Sequence, residues 1–166
     1  MSRRTATRAL LAVAMSVSLA ACGGGDDGDD GVDGVDVSTD LSVKPEVPAS
    51  EEAAPDELVI DDVVVGDGDE AVEGSTAEVK YVGAFYESGE EFDSSWQISD
   101  DETITVPLGQ GRVIPGFEQG IEGMKVGGRR MITIPSDLGY GPAGQGPIPG
   151  GATLVFVMDL VEVTGP

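Results

Sequence analysis

The sequence predicts an α+β domain, a curved antiparallel β-sheet of about five strands wrapped around one short α-helix. Three observations point there. Short β-rich runs recur between Gly-rich breaks, one stretch alone carries helical periodicity, and a long Gly- and Pro-rich loop precedes the last apolar run.

The elements follow in chain order. Leu58 to Val65 is mostly apolar and β-branched, and Gly66-Asp67-Gly68 closes it. Thr76 to Val82 alternates, with Ala77, Val79 and Tyr81 on one face and Glu78, Lys80 and Val82 on the other. Glu87-Ser88-Gly89-Glu90 has turn chemistry and leads the chain back to Phe92. Thr103 to Leu108 reads as a strand in which Pro107 marks an edge or an end, because proline cannot donate to a ladder. Pro115 suits a first helical turn, and Phe117, Ile121 and Met124 then fall at i, i+4 and i+7 on one face. Gly127-Gly128 separates this helix from a strand over Arg129 to Ile134. Ser136 to Gly151 is a loop of a length usually kept for function, and Ala152 to Val163 is the last strand. The helix's apolar face would fill the hollow side of the sheet, and a domain of about 110 residues (57–166) can bury such a core without disulfides.

Composition removes whole classes of chemistry. The chain has 166 residues, no His, and Cys22 as its single Cys. Ser-His-Asp and Cys-His catalysis, His/Cys zinc sites and intramolecular disulfides are therefore excluded. Acids outnumber bases 31 to 9, a net charge of −22, so a phosphate backbone would be repelled and nucleic acid is excluded as a partner. The acidity by itself speaks for solubility or a salty medium rather than for a specific basic partner.

The N-terminus reads as an address. Arg3, Arg4 and Arg8 precede an apolar stretch from Ala9 to Ala20 that ends in Leu19-Ala20-Ala21-Cys22. This is the pattern of a secretory signal peptide over residues 1–21, too short to remain as a spanning helix. The Cys after the small residues resembles the lipobox of bacterial lipoproteins, which implies cleavage before Cys22 and a diacylglyceryl group on its sulfur. The alternative is an ordinary secreted protein with an incidental Cys. Residues 22–56 follow as an acidic, disordered tether. Between Gly23 and Asp56 there are eleven acids and one Lys, with too little apolar surface to offset the entropy of ordering. The Asp-Gly run lacks the spacing of a calcium loop. The expected location is extracytoplasmic, held to the membrane by lipid.

Five ordered segments carry the functional reading: Tyr81-x-Gly83, Phe92-Asp93-Ser94-Ser95, Val113-Ile114-Pro115-Gly116, Gly139-Tyr140-Gly141-Pro142 and Ala152-Thr153-Leu154-Val155-Phe156. In this order they resemble the FKBP-type peptidyl-prolyl isomerases over nearly all of residues 57–166. The resemblance implies catalytic roles for Phe92, Asp93 and Tyr140. It also implies a substrate-binding wall of Tyr81, Ile104, Val113, Ile114, Phe117, Ile148 and Phe156. Phe117 stands where the family often has Trp at the pocket floor, Ile104 where a Phe commonly packs, and Gln145 where some members carry His. Expected ligands are proline-containing segments of exported proteins, with macrolide inhibitors also admitted by the resemblance. No metal or cofactor is expected, and a monomer is the expected state.

The chemistry suits the residues available. Rotation about an X-Pro bond is slow because it breaks amide resonance, a barrier of about 18–20 kcal/mol. A dry apolar pocket favours the twisted, less polarised amide, and a hydrogen bond to the prolyl nitrogen would add to this; no nucleophile or general base is required. The Tyr140 hydroxyl and the Ile114 N–H are candidate donors to substrate carbonyls. For Asp93 two roles stay open, polarising the twisted carbonyl or holding neighbouring side chains. Two competing readings remain: a proline-binding module with little turnover, and a lipoprotein whose domain is a spacer.

Overall fold

A computed structural model describes residues 37–97, 99 and 102–165 of the chain. Residues 1–21, read as a signal peptide, and Cys22 lie outside the described residues. Six strands form one antiparallel sheet: β1 (Val59–Val64), β2 (Thr76–Phe85), β3 (Glu91–Ser94), β4 (Ile104–Pro107), β5 (Arg129–Ile134) and β6 (Leu154–Thr164). The order is β1-β5-β6-β2-β3, and β4 pairs with β2 beside β3. The long strand β2 is thus shared: Thr76 to Val79 faces β4, Val82 to Ala84 faces β3, and β6 runs along its other side. The expected α+β class holds.

Local chemistry sets the breaks. Strand β2 runs to Phe85, past the expected end at Val82, because Gly83 and Ala84 pair with Phe156 and Val155 of β6. Pro107 ends β4, as its missing N–H requires. The helix α1 (Pro115–Ile121) starts on Pro115 and stops a turn earlier than its apolar periodicity suggests. Gly123, at φ +77°, turns the chain there, so Met124 reaches the core from a turn and not from the helix. Arg130 caps the end: its guanidinium donates to the carbonyls of Gly120 at 2.9 Å and Glu122 at 3.1 Å while paired with Asp62 at 2.6 Å.

Alternation along β6 divides the protein into two cores. Leu154, Phe156, Met158 and Leu160 join Phe117, Ile121, Ile132 and Ile134 on the face that carries α1. Val155 and Val157 point the other way and pack with Met131 and Val37.

Val37 belongs to the stretch read as a disordered tether, and residues 37–50 instead lie against the sheet. Arg129 explains why. It is fully buried, forms a two-point pair with Asp159 (2.6 Å for each bond), and donates its remaining N–H groups to the carbonyls of Ser38, Asp40 and Val43 at 2.5, 3.1 and 3.1 Å. All five guanidinium donors are spent. Lys44 pairs with Glu91 at 2.7 Å, and the Ser50 N–H donates to the Tyr86 carbonyl at 3.0 Å. Composition could not show this strap, since carbonyls that any residue would supply hold most of it.

Candidate active site

The two faces of the sheet differ in what they can do, and the α1 face carries a cleft of about 490 Å³. Strand β2 supplies Tyr81, β3 supplies Phe92 and Asp93, β4 supplies Ile104 and β6 supplies Phe156. The loop ahead of α1 adds Arg112, Val113 and Ile114, the helix adds Pro115 and Phe117, and the long loop after β5 adds Tyr140 and Gln145.

Four of the five aromatic rings lining the cleft pack on one another. Phe156 lies edge-on to Phe117 at 5.1 Å and to Phe92 at 5.6 Å between centroids, and Tyr81 lies edge-on to Phe117 at 5.7 Å. Gly83 permits this approach. A β-carbon there would stand 2.7 Å from the Phe156 ring and 2.9 Å from that of Phe92. Behind the rings, Gly116 lets α1 sit down on Ile134. Glu118 of α1 accepts a hydrogen bond from the Gly109 N–H and so ties down the start of the loop bearing Val113 and Ile114.

The polar groups divide into engaged and unspent. Asp93 is engaged: one carboxylate oxygen accepts the Tyr81 hydroxyl at 2.6 Å and the other accepts the Ser94 N–H at 2.9 Å. Burial first, then the bond to Asp93 and its charge, raises the Tyr81 phenol far above its ordinary range. Burial and the Asp93 charge also raise the Tyr140 phenol, so both hydroxyls keep their protons at any physiological pH. Tyr140 has no hydrogen-bond partner among the described residues, and neither does the Ile114 N–H, while the Ile114 carbonyl is taken by the N–H groups of Phe117 and Glu118. The cleft therefore presents two free donors above an aromatic lining.

Of the residues expected here, Tyr81, Phe92, Asp93, Ile104, Val113, Ile114, Phe117, Tyr140 and Phe156 all line the cleft. Ile148 does not. It is 7% exposed and packs in the core that also holds Phe117 and Phe156, because a mutual pair of backbone hydrogen bonds with Gln145, both 2.9 Å, pins its loop position. Arg112, Pro115 and Gln145 line the cleft without having been assigned to it. Arg112 had a legible signal, being the only basic residue between Tyr81 and Met124.

Comparison with known proteins agrees with this geometry. The domain family described as FKBP-type peptidyl-prolyl cis-trans isomerase matches residues 68–161. A probable FK506-binding protein of Corynebacterium glutamicum is 49% identical over 119 residues, covering 72% of this chain and 98% of that protein. An FK506-binding protein of Streptomyces anulatus is 48% identical over 122 residues, covering 72% and 97%. Among solved structures, the crystal structure of AtFKBP13 superposes with a TM-score of 0.60 at 35% identity, over 67% of this chain and 96% of that one. The chain belongs to the FKBP-type peptidyl-prolyl cis-trans isomerase family and is an isomerase of X-Pro peptide bonds.

Proposed function

We propose that the protein is an exported, lipid-anchored isomerase that accelerates X-Pro rotation in proteins folding outside the cytoplasm, and that it acts without any covalent or proton-transfer step. The single observation that carries the mechanism is the cleft itself, four aromatic rings beneath two unspent donors.

The proline ring sits among Phe92, Val113, Ile114, Phe117 and Phe156, where little water follows it. The planar amide is the more dipolar form and loses more solvation on entry than the twisted one, so the cleft favours the twist. The Tyr140 hydroxyl and the Ile114 N–H hold the carbonyls flanking the reacting bond. Interactions of that kind bind planar and twisted forms alike and lower KM, while the apolar lining discriminates between the two forms and lowers the barrier. Asp93 holds Tyr81 in place as one wall. Each of its oxygens already accepts one internal hydrogen bond, which supports this positioning role.

The N-terminal arginines, the apolar stretch and the small residues before Cys22 support export and acylation. The strap lies on the Val155–Val157 face, opposite the cleft, so the described chain joins the domain away from the cleft. The names of the relatives support a macrolide of the FK506 type as a ligand of this cleft, and the chain acts as a monomer.

Two measurements test the proposal. Peptide cis–trans exchange followed by NMR should give the same kcat/KM in H2O and D2O; a solvent isotope effect of about two or more would show a proton in flight and overturn the mechanism. Cys22→Ser should move the protein from the detergent phase to the aqueous phase on partitioning, and a protein that stays with detergent would overturn the anchor.

A further inference from the structure

Beyond Phe92 lies a second hollow of about 820 Å³, larger than the cleft and adjoining it at Phe92, which lines both. Its other lining includes Phe85, whose ring lies tilted at 5.1 Å from that of Phe92, and the exposed residues Pro147 and Pro149 from the long loop. Glu87 and Glu90 stand on the turn between β2 and β3, exposed, with no ion pair to either carboxylate among the described residues. The two hollows differ in charge: the cleft is lined by both Arg112 and Asp93, whereas the second hollow is lined by Glu87, Glu90 and Glu91, of which Glu91 is paired with Lys44.

We propose that this groove is an extension of the substrate site that selects a lysine or arginine on one side of the reacting proline. The inference rests on the cleft being where the X-Pro bond turns. A polypeptide with its proline in the cleft must leave past one of the cleft's walls, and Phe92 is the wall shared with the groove. An extended chain advances about 3.3–3.6 Å per residue, so the neighbour two or three positions away reaches the groove. The lining fits one type of side chain. Half-buried Phe85 and Phe92 accept an aliphatic stem or the face of a guanidinium, and Glu87 and Glu90 receive the charged head. An acidic neighbour would meet like charge there. The net charge of −22 attracts every basic peptide, but at physiological ionic strength that field is screened over about 8 Å, so a difference between the two sides of the proline reports acids close to the bound chain.

The test uses a set of soluble peptides with one Leu-Pro bond and a single Ala, Lys or Glu scanned from four residues before the proline to four after. Their cis–trans exchange is measured at 0.15 M salt with the purified protein. Lys should raise kcat/KM about two- to tenfold over the Ala parent on one side of the proline only, the range expected for one or two partly exposed ion pairs, and Glu should lower it there. E87Q/E90Q should abolish this gain, read as the ratio of the Lys peptide to the Ala parent with the same variant, whereas E70Q/E162Q, at acids that line neither hollow, should keep it. An equal gain on both sides, or a gain that survives E87Q/E90Q, would overturn the groove. Failure to accelerate even the Ala parent would instead overturn the isomerase reading beneath it.

Discussion

The Tyr81 hydroxyl donates to the Asp93 carboxylate at 2.6 Å across two strands, and this bond fixes an aromatic wall of the cleft to the strand that carries Phe92. The carboxylate is held in turn by the Ser94 N–H at 2.9 Å. Asp93→Ala leaves a half-buried hydroxyl without its acceptor, which costs about 1–3 kcal/mol, and kcat/KM should fall about tenfold as the Tyr81 ring loosens. Asp93→Asn retains an acceptor oxygen and should restore most of the activity. Equal loss in both variants would give the charge itself, rather than the hydrogen bond, the main role. Chemical denaturation and peptide exchange read the two quantities separately.

Tyr140→Phe removes one of the two unspent donors and nothing that the protein uses internally. A neutral hydrogen bond is worth about 0.5–1.5 kcal/mol, so kcat/KM should drop about two- to twelvefold with an unchanged melting temperature. A fall in Tm would show that the hydroxyl has a structural partner.

Gly83→Ala tests the ring packing. The added methyl would stand 2.7 Å from Phe156 and 2.9 Å from Phe92, so one ring must move. Overpacking of this kind costs about 1–3 kcal/mol, and because both rings line the cleft, activity should fall together with stability.

The strap depends on Arg129. Replacing it by Met leaves Asp159 buried without its partner and frees the carbonyls of Ser38, Asp40 and Val43. Breaking a buried pair from one side costs about 3–5 kcal/mol. R129M should unfold at lower denaturant and be cut by proteases between residues 38 and 50, and R129M/D159L should recover much of the stability while the strap stays cleavable. A strap that remains protected in both variants would show that Val37 and Val47 hold it without the guanidinium.

The raised phenols make a pH prediction. Tyrosine ordinarily titrates near 10, and Tyr81 does so well above that because its neutral form is favoured by burial and by the bond to Asp93. A folded-state pKa above the unfolded one gives stability that is complete below about pH 10 and declines as pH rises past it. Tyrosinate absorbance should therefore appear in the folded protein later than in the unfolded chain. With no His in the chain, activity should be flat between about pH 6 and 9.

Much of this was legible in the residues. Alternation at Ala77, Val79 and Tyr81, the helix opening at Pro115 and the last apolar run fixed where strands and helix fall, because each follows from local period and turn chemistry. The nine cleft residues were legible only jointly, as an ordered set. What escaped has two causes: partners distant in sequence for the strap, and backbone turns that side-chain pattern does not show for Ile148 and Met124. The strap is held by backbone carbonyls reaching Arg129 some ninety residues away. Ile148 turns inward because of a backbone pair with Gln145. Met124 lies on the helical stripe, yet Gly123 ends the helix before it.

The central claim, that this cleft turns X-Pro bonds by burying them against its rings, is tested most directly by NMR exchange on a Leu-Pro peptide with wild-type protein and with Phe92→Ala. The account predicts strong acceleration by the wild type at catalytic concentration, and loss of most of it in the variant while the amide spectrum stays folded. Unchanged exchange with wild type, or undiminished exchange with Phe92→Ala, would contradict it.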